Sequence, residues 1–327
     1  METYFLNGVD IKSYGQMPGQ HNPESDLAIS GAWDMPSRMG KCFHDWGDQD
    51  GIEPYVLEDE IRLGGRDILF TGLLEASDRY EALVKLYSFY KTVGAYTTEV
   101  PLHSPEYGTW NVYVNGEITA DYIGGGWCTF QIPYRERAPD MTGTMPSNKP
   151  LFMPVNVGGV LLNGAGNLIQ VGRINYDGYG IDGVSFNDLG LIILDVSGHW
   201  NRPAPKAGEA IGYSTEPYQI TKTTAREITL RALISQPNYT AFKEVLKGLY
   251  VLFKKPGLRY MTRKKDALRD FFVMKGFTVT NVHTYGEEVD GILEVTLTEV
   301  GAHIEWDILA TSIGQFVQSD FGNIITT

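Results

Sequence analysis

Two stretches of this chain alternate apolar and polar residues in the same phase, and that agreement most limits how it can fold. Arg66 to Leu74 reads RDILFTGLL, and Arg226 to Ile234 reads REITLRALI. Ile68, Phe70, Gly72 and Leu74 share one face of an extended strand, as do Ile228, Leu230, Ala232 and Ile234. A slip of one residue inverts the faces of a strand, so the agreement sets a register. A helix is expected after each strand. LVKLYSFYK, Leu83 to Lys91, resembles LKGLYVLFK, Leu246 to Lys254. The first helix is expected to bury a stripe of Tyr80, Leu83, Tyr87 and Tyr90, capped by Ser77 or Asp78. The second is expected to bury Tyr239, Phe242, Leu246, Leu249 and Phe253, to run about one turn longer, and to stop at Pro256-Gly257.

Downstream, Trp110 to Val114 enters Asn115-Gly116, a strong two-residue hairpin signal. Phe271 to Met274 enters Lys275-Gly276 in the same way. Each half then closes in a strand, with Cys128, Phe130 and Ile132 sharing one face and Leu293, Val295 and Leu297 another. The opening Tyr4 to Ile11, before Ser13-Tyr14-Gly15, is matched less closely by Val184 to Gly190, before Leu191 to Val196 and Ser197-Gly198. The order in both halves is strand, long loop, strand, helix, hairpin, strand. This predicts a mainly β chain with flanking α (α+β): a first β domain at 1–137 containing a long loop at 16–58, and a second at 184–301. Residues 138–183 connect them and are expected to contain an extra hairpin, at Gly158 to Gly164 with Leu168 to Val171. Residues 302–327 form a C-terminal arm. Loops as long as 16–58 in compact domains are usually functional or ordered by a partner.

Composition narrows the function. The net charge is −13, which argues against gripping phosphates with clustered Lys and Arg and suits a wall that repels them. Two cysteines, Cys42 and Cys128, make no disulfide framework and are expected as buried thiols. METYFLNGVD lacks the basic and apolar regions of a signal peptide, and no apolar run is long enough to span a bilayer. The expectation is a soluble, acidic protein made in a cytoplasm.

No constellation of catalytic residues stands out. His44 to Glu60, HDWGDQDGIEPYVLEDE, invites comparison with a calcium loop. With Gly51 at the obligatory glycine, Trp46 and Leu57 fall where carboxylates belong, so a solvated acidic loop fits better. The six histidines are too scattered for an i, i+4 zinc pair. Gly124-Gly125-Gly126 leads into a strand and offers no helix N-terminus to a phosphate, so a bulge or tight turn is the better reading. There is no GxSxG. Arg263-Lys264-Lys265 with Lys254 and Lys255 reads as a subunit contact or solvated edge. Trp33, Trp46, Trp110, Trp127, Trp200 and Trp306 fit a core or an interface better than rows for stacking on sugars. Accordingly no catalytic, cofactor-binding or metal-binding residue is assigned, and no cofactor is expected.

The opening phrase Phe5-Leu6-Asn7-Gly8-Val9-Asp10-Ile11 with Ser13-Tyr14-Gly15, and the closing phrase Phe130-Gln131-Ile132-Pro133-Tyr134-Arg135, resemble bacteriophage tail proteins of the distal tail, tail-tube and baseplate-hub superfamily. The resemblance is best over residues 1 to about 137. The second half matches by element order and departs at Val295 to Glu299. It implies two tandem tail-tube-like β-barrel or sandwich domains, each with one helix. It also implies a non-enzymatic virion component that self-associates into a ring, as a pseudo-sixfold trimer or a hexamer. Such a ring links the tail tube to the host-recognition apparatus and contacts other tail and baseplate proteins. DNA passes through its lumen without specific binding. The alternatives are a carbohydrate-binding or adhesion module and a sliding-clamp-like ring; the latter is disfavoured because each half offers one helix where a clamp repeat has two.

Overall fold

The alternating segments become long, antiparallel, central strands. The computed structural model describes residues 2–19, 27–146, 155–157, 160–162, 179–182, 184–187, 189–207, 219–262 and 269–301. In the N-terminal region the strands are β1 (Phe5–Leu6), β2 (Val9–Asp10), β3 (Gln16–Pro18), β4 (Ile29–Ser30), β5 (Arg66–Glu75), β6 (Val100–Ser104), β7 (Gly108–Val114), β8 (Thr119–Gly124) and β9 (Trp127–Glu136). They order as β2-β1-β6-β7-β9-β5-β3, with β8 also on β9 and β4 also on β5. In the C-terminal region they are β10 (Gly180–Ile181), β11 (Val184–Ser185), β12 (Leu191–Ser197), β13 (Arg226–Gln236), β14 (Arg259–Thr262), β15 (Arg269–Tyr285) and β16 (Glu288–Glu299). Their order is β11-β10-β14-β15-β16-β13-β12. Position by position the two main paths are the same: an opening hairpin at one edge, and the two longest-paired strands side by side toward the other. Among the described residues the protein is thus mainly β with two flanking α-helices.

The strand faces follow the alternation. Ile68, Phe70, Leu74, Cys128, Phe130 and Ile132 are buried, as are Ile228, Leu230, Ala232, Ile234, Leu293, Val295 and Leu297. One apolar cluster runs through both regions. Cys128 belongs to it, while Cys42 lies in a small satellite cluster with Ile52 and Phe272. Both are buried free thiols.

The helices, α1 (Arg79–Gly94) and α2 (Tyr239–Lys254), have the same length, 16 residues, so the extra turn expected of the second is not there. Asp78 caps α1 by accepting from the Glu81 N–H, and Asn238 caps α2 by accepting from the Ala241 N–H. Counting from these caps, Ala82, Leu86, Phe89 and Val93 are the buried face of α1 and match Phe242, Leu246, Leu249 and Phe253 of α2. The expected α1 stripe is therefore on the wrong side: Tyr80, Leu83 and Tyr87 are exposed. Aligning LVKLYSFYK with LKGLYVLFK shifts the register three residues from the one the caps set, because both helix faces are aromatic-rich and letters alone do not tell them apart.

Neither expected hairpin lies at its predicted turn. Asn115-Gly116 separates β7 from β8, and both strands run along β9. Lys275-Gly276 sits inside β15 as a bulge. The reversals come later, at Gly124–Gly126 and around Gly286, each in a positive-φ conformation. Gly276 has φ +69, and a Cβ there would fall on the Met35 carbonyl oxygen. This glycine serves a close approach by the N-terminal region. The Asn-Gly signal works instead at Asn7-Gly8, which turns β1 into β2; Asp182 takes the same φ, +51, between β10 and β11. Ile11 N–H donates to the Tyr4 carbonyl, and Phe186 N–H to that of Tyr179, both at 3.1 Å. The C-terminal sheet thus begins at Gly180, and a boundary at 184 cuts through its opening hairpin.

The loop at 16–58 is partly ordered as strand: β3 and β4 pair with β5, and Phe43–His44 pairs with Glu53–Pro54. The small hairpin in the connector joins Val155–Val157 to Val160–Leu162, earlier in the chain than expected. Residues 168–171, 263–265 and 302–327, with the expected arm and Trp306, lie outside the described residues. No described helix is long and apolar enough to cross a membrane.

Candidate assembly interface

The first strand of each central pair begins with arginine and the second ends with glutamate. Arg66 stands directly opposite Glu136, and Arg226 opposite Glu299. Both ion pairs are buried. Arg66 Nε and Nη2 donate to Glu136 Oε2 at 3.0 and 2.5 Å, and Arg226 Nε donates to Glu299 Oε2 at 2.5 Å. The planar guanidinium has donors to spare. Arg66 Nη1 reaches the Asp34 carbonyl at 3.3 Å and the Tyr250 hydroxyl at 3.4 Å. Arg226 Nη1 donates to the carbonyls of His199 and Asn201 at 3.2 and 2.8 Å. The spare donors thus hold the loop after the edge strand in each region, and in the N-terminal region they also touch α2.

That loop carries a short repeat, Ser30-Gly31-Ala32-Trp33-Asp34 and Ser197-Gly198-His199-Trp200-Asn201. Gly31 and Gly198 have φ +73 and +80. The Asp34 N–H donates to Gly31, and the Asn201 N–H to Gly198, at 3.2 and 3.1 Å. In the N-terminal region this loop is the seam between the two sheets. Trp33 Nε1 donates to the Tyr239 hydroxyl at 2.8 Å, and Tyr250 donates its hydroxyl to the Trp33 carbonyl at 2.5 Å. Tyr239 in turn donates to the Tyr107 carbonyl at 2.8 Å. Burial pushes the Tyr239 hydroxyl up to about 12, which keeps it protonated as a donor. Backbone pairing of Met35 with Phe277 and the Arg38 N–H donated to Met274 continue the seam.

Asp34 accepts from the Val279 N–H at 2.7 Å. Desolvation raises its carboxyl from 3.8 to about 6, against the opposing effects of Val279 and Arg66. The folded chain keeps this proton where the unfolded chain has released it. The stability from this group is therefore full below the unfolded value and is lost as pH rises through the folded one, by about 3 kcal/mol. Thermal melts of the wild type should fall relative to those of Asp34→Asn between about pH 4 and pH 7. A pH-independent difference between the two would contradict this role of the seam.

The acidic loop is organised around a cation from the other region. Lys206, whose side chain is 5% exposed, donates from Nζ to the carbonyls of Gln49 and Gly51 at 2.7 and 3.1 Å. Nζ also contacts the Trp46 carbonyl and the Asp45 carboxylate. Asp50 accepts from the N–H and hydroxyl of Thr223 at 2.8 and 3.1 Å. Calcium-like oxygen ligands therefore surround an ammonium group, and among the described residues no cluster of His, Cys, Asp and Glu has the makings of a metal site. Sequence reasoning missed Lys206 because nothing near it in the chain marks it as the partner of Asp45.

The tryptophans divide. Trp33 and Trp110 are buried, and Trp110 donates to the Ala32 carbonyl at 3.3 Å. Trp46 and Trp200 are 43% and 78% exposed. Trp46 donates to Glu53 at 2.8 Å.

No protein-family model matches the chain, and no curated protein does. Among solved structures it is similar to the crystal structure of the SPP1 Dit (gp 19.1) protein, described as a paradigm of the hub adsorption apparatus in phages that infect Gram-positive hosts. The match covers 91% of this chain and 98% of that one, with 9% identity and a TM-score of 0.34. At that level of likeness, function is read from this chain's own contacts.

Proposed function

We propose that the chain is a non-enzymatic structural component of a bacteriophage tail. It forms a ring at the distal tail or baseplate hub, linking the tail tube to the host-recognition apparatus. On this reading the chain holds two tandem tube-like domains, 1–137 and a second whose start moves back from 184 to the hairpin at Gly180 and which ends at 301. The chain self-associates as a pseudo-sixfold trimer or as a hexamer and binds other tail and baseplate proteins. DNA passes through the lumen without specific binding, and the protein resides in the virion after assembly in the host cytoplasm. The observation that carries this is the shared order of the main strand path in the two sheets, joined by a seam in which one region seats its loop on the other's helix. A seam between like units is heterologous, and a heterologous contact repeated between copies gives a ring where its rotation closes. The net charge of −13 suits a conduit that does not hold phosphate. Negative-stain microscopy of the purified chain, alone and mixed with other tail proteins, should show rings with a central hole. Compact monomers in both preparations would overturn the proposal.

A further inference from the structure

The seam inside the chain has two faces, and the outer surface carries a counterpart of each. On α2 the seam face is Tyr239, Lys243, Lys247 and Tyr250, spaced at helical intervals. Counted from the caps, the same face of α1 is Arg79, Leu83, Tyr87 and Tyr90. On that face of α1 Tyr87 is 67% exposed and Leu83 43%, and directly beside it Tyr80 is 77% and Val84 49% exposed. Four large apolar side chains together on one helix differ from the single exposed apolar residues that any surface has. Tyr90 stands where Tyr250 stands. The other half of the seam is Trp33, only 4% exposed beneath α2. Its counterpart Trp200 occupies the same place in the repeated loop, with the same positive-φ glycine before it and its loop held by an equivalent arginine. Trp200 is 78% exposed.

We infer that neighbouring copies of this chain cover the two surfaces: α1 of one copy seats on the Trp200 loop of the next, repeating the α2–Trp33 seam. The contact rests on the ring reading and sharpens it. Each chain carries one helix face and one Trp200 loop on different regions, so the association is head to tail. The two regions then alternate around a single ring. With the six positions of the ring reading, three chains fill one ring, and a hexamer of two stacked rings would need a different contact. The chemistry agrees with an interface core, where aromatic residues and arginine are favoured. Leu83 and Tyr87 meet an indole, flanked by Arg79, which stands in place of Tyr239 and lies over the Tyr122 ring.

The test uses the full chain, Tyr87→Asp and Trp200→Ala, with particle mass read by native mass spectrometry and folding checked by thermal melting. Both residues are on the surface, so both variants should still melt cooperatively, below the wild type only by the stabilisation that association adds to the ring. Each alone should be monomeric where the wild type is a ring. Mixed, they should give discrete dimers and nothing larger, since each supplies the one face the other lacks. A wild-type ring that either variant still forms would overturn this contact and leave the ring reading intact. A Trp200→Ala variant that still associates while Tyr87→Asp does not would mean helix-to-helix pairing and would also overturn it. A wild-type chain that is monomeric alone and with its tail partners would remove the ring reading itself.

Discussion

Replacing Arg66 with methionine is expected to destabilise the protein by about 3–5 kcal/mol, because it leaves Glu136 as a buried carboxylate without its cation. The pair's mutual attraction is largely offset by the cost of dehydrating both charges, so the loss comes from the orphaned partner. Arg66→Met with Glu136→Leu should therefore recover most of it. Both chains should be compared by denaturant unfolding, since the midpoint shift at constant slope reads the free energy directly. Arg226→Met should cost a similar amount by orphaning Glu299. The two differ in reach: Arg66 also touches Tyr250 and the Asp34 carbonyl across the seam, whereas Arg226 holds only the His199–Asn201 loop of its own region. Hydrogen exchange of amides in α2 should accelerate in Arg66→Met. A double variant no more stable than the single one would contradict this account of the pair.

Replacing Lys206 with methionine is the second large effect, expected at about 2–3 kcal/mol. Methionine keeps the apolar stem but removes the donor, leaving the carbonyls of Trp46, Gln49 and Gly51 short of a partner. The Asp45 carboxylate is 42% exposed, so water takes up much of its loss. The effect should be local. Limited proteolysis should cut between residues 41 and 60 in the variant well before global unfolding, while the wild type resists. Calcium added to the wild type should leave its melting temperature unchanged, because the loop's oxygens already surround an ammonium. A calcium-dependent rise would instead show that a metal binds there and displaces the lysine.

What the sequence made legible was periodic and local. Alternation at Ile68–Leu74 and Ile228–Ile234 gives the faces of the central strands, because burial on one side of a sheet enforces period two. Asp78 could be read as a cap from its residue type and place. Long-range chemistry was hidden. The Arg66–Glu136 and Arg226–Glu299 pairs depend on the register between strands distant in sequence, and the first letter of each stretch says nothing of the last letter of the closing strand. The α1 face was misread because tyrosine serves both a core and an interface, so aromatic spacing alone did not separate the side facing the sheet from the side facing out. Gly276 was misread as a turn because φ above zero is needed both for turns and for close backbone approach, and the approaching Met35 carbonyl lies in the other region. The loop repeat Ser-Gly-x-Trp-Asp/Asn was present in the letters. It stayed unnoticed because β4 reaches it after a long excursion while β12 runs straight into it, so equal spacing from the opening strand never lines the two up.

The most direct measurement of the central claim is the mass of the assembled particle. The account predicts three chains of 36.4 kDa in one ring, with threefold symmetry in class averages and six similar lobes around the hole. A particle that stays at one chain, or a sixfold stack in which each ring holds only one kind of lobe, would contradict it.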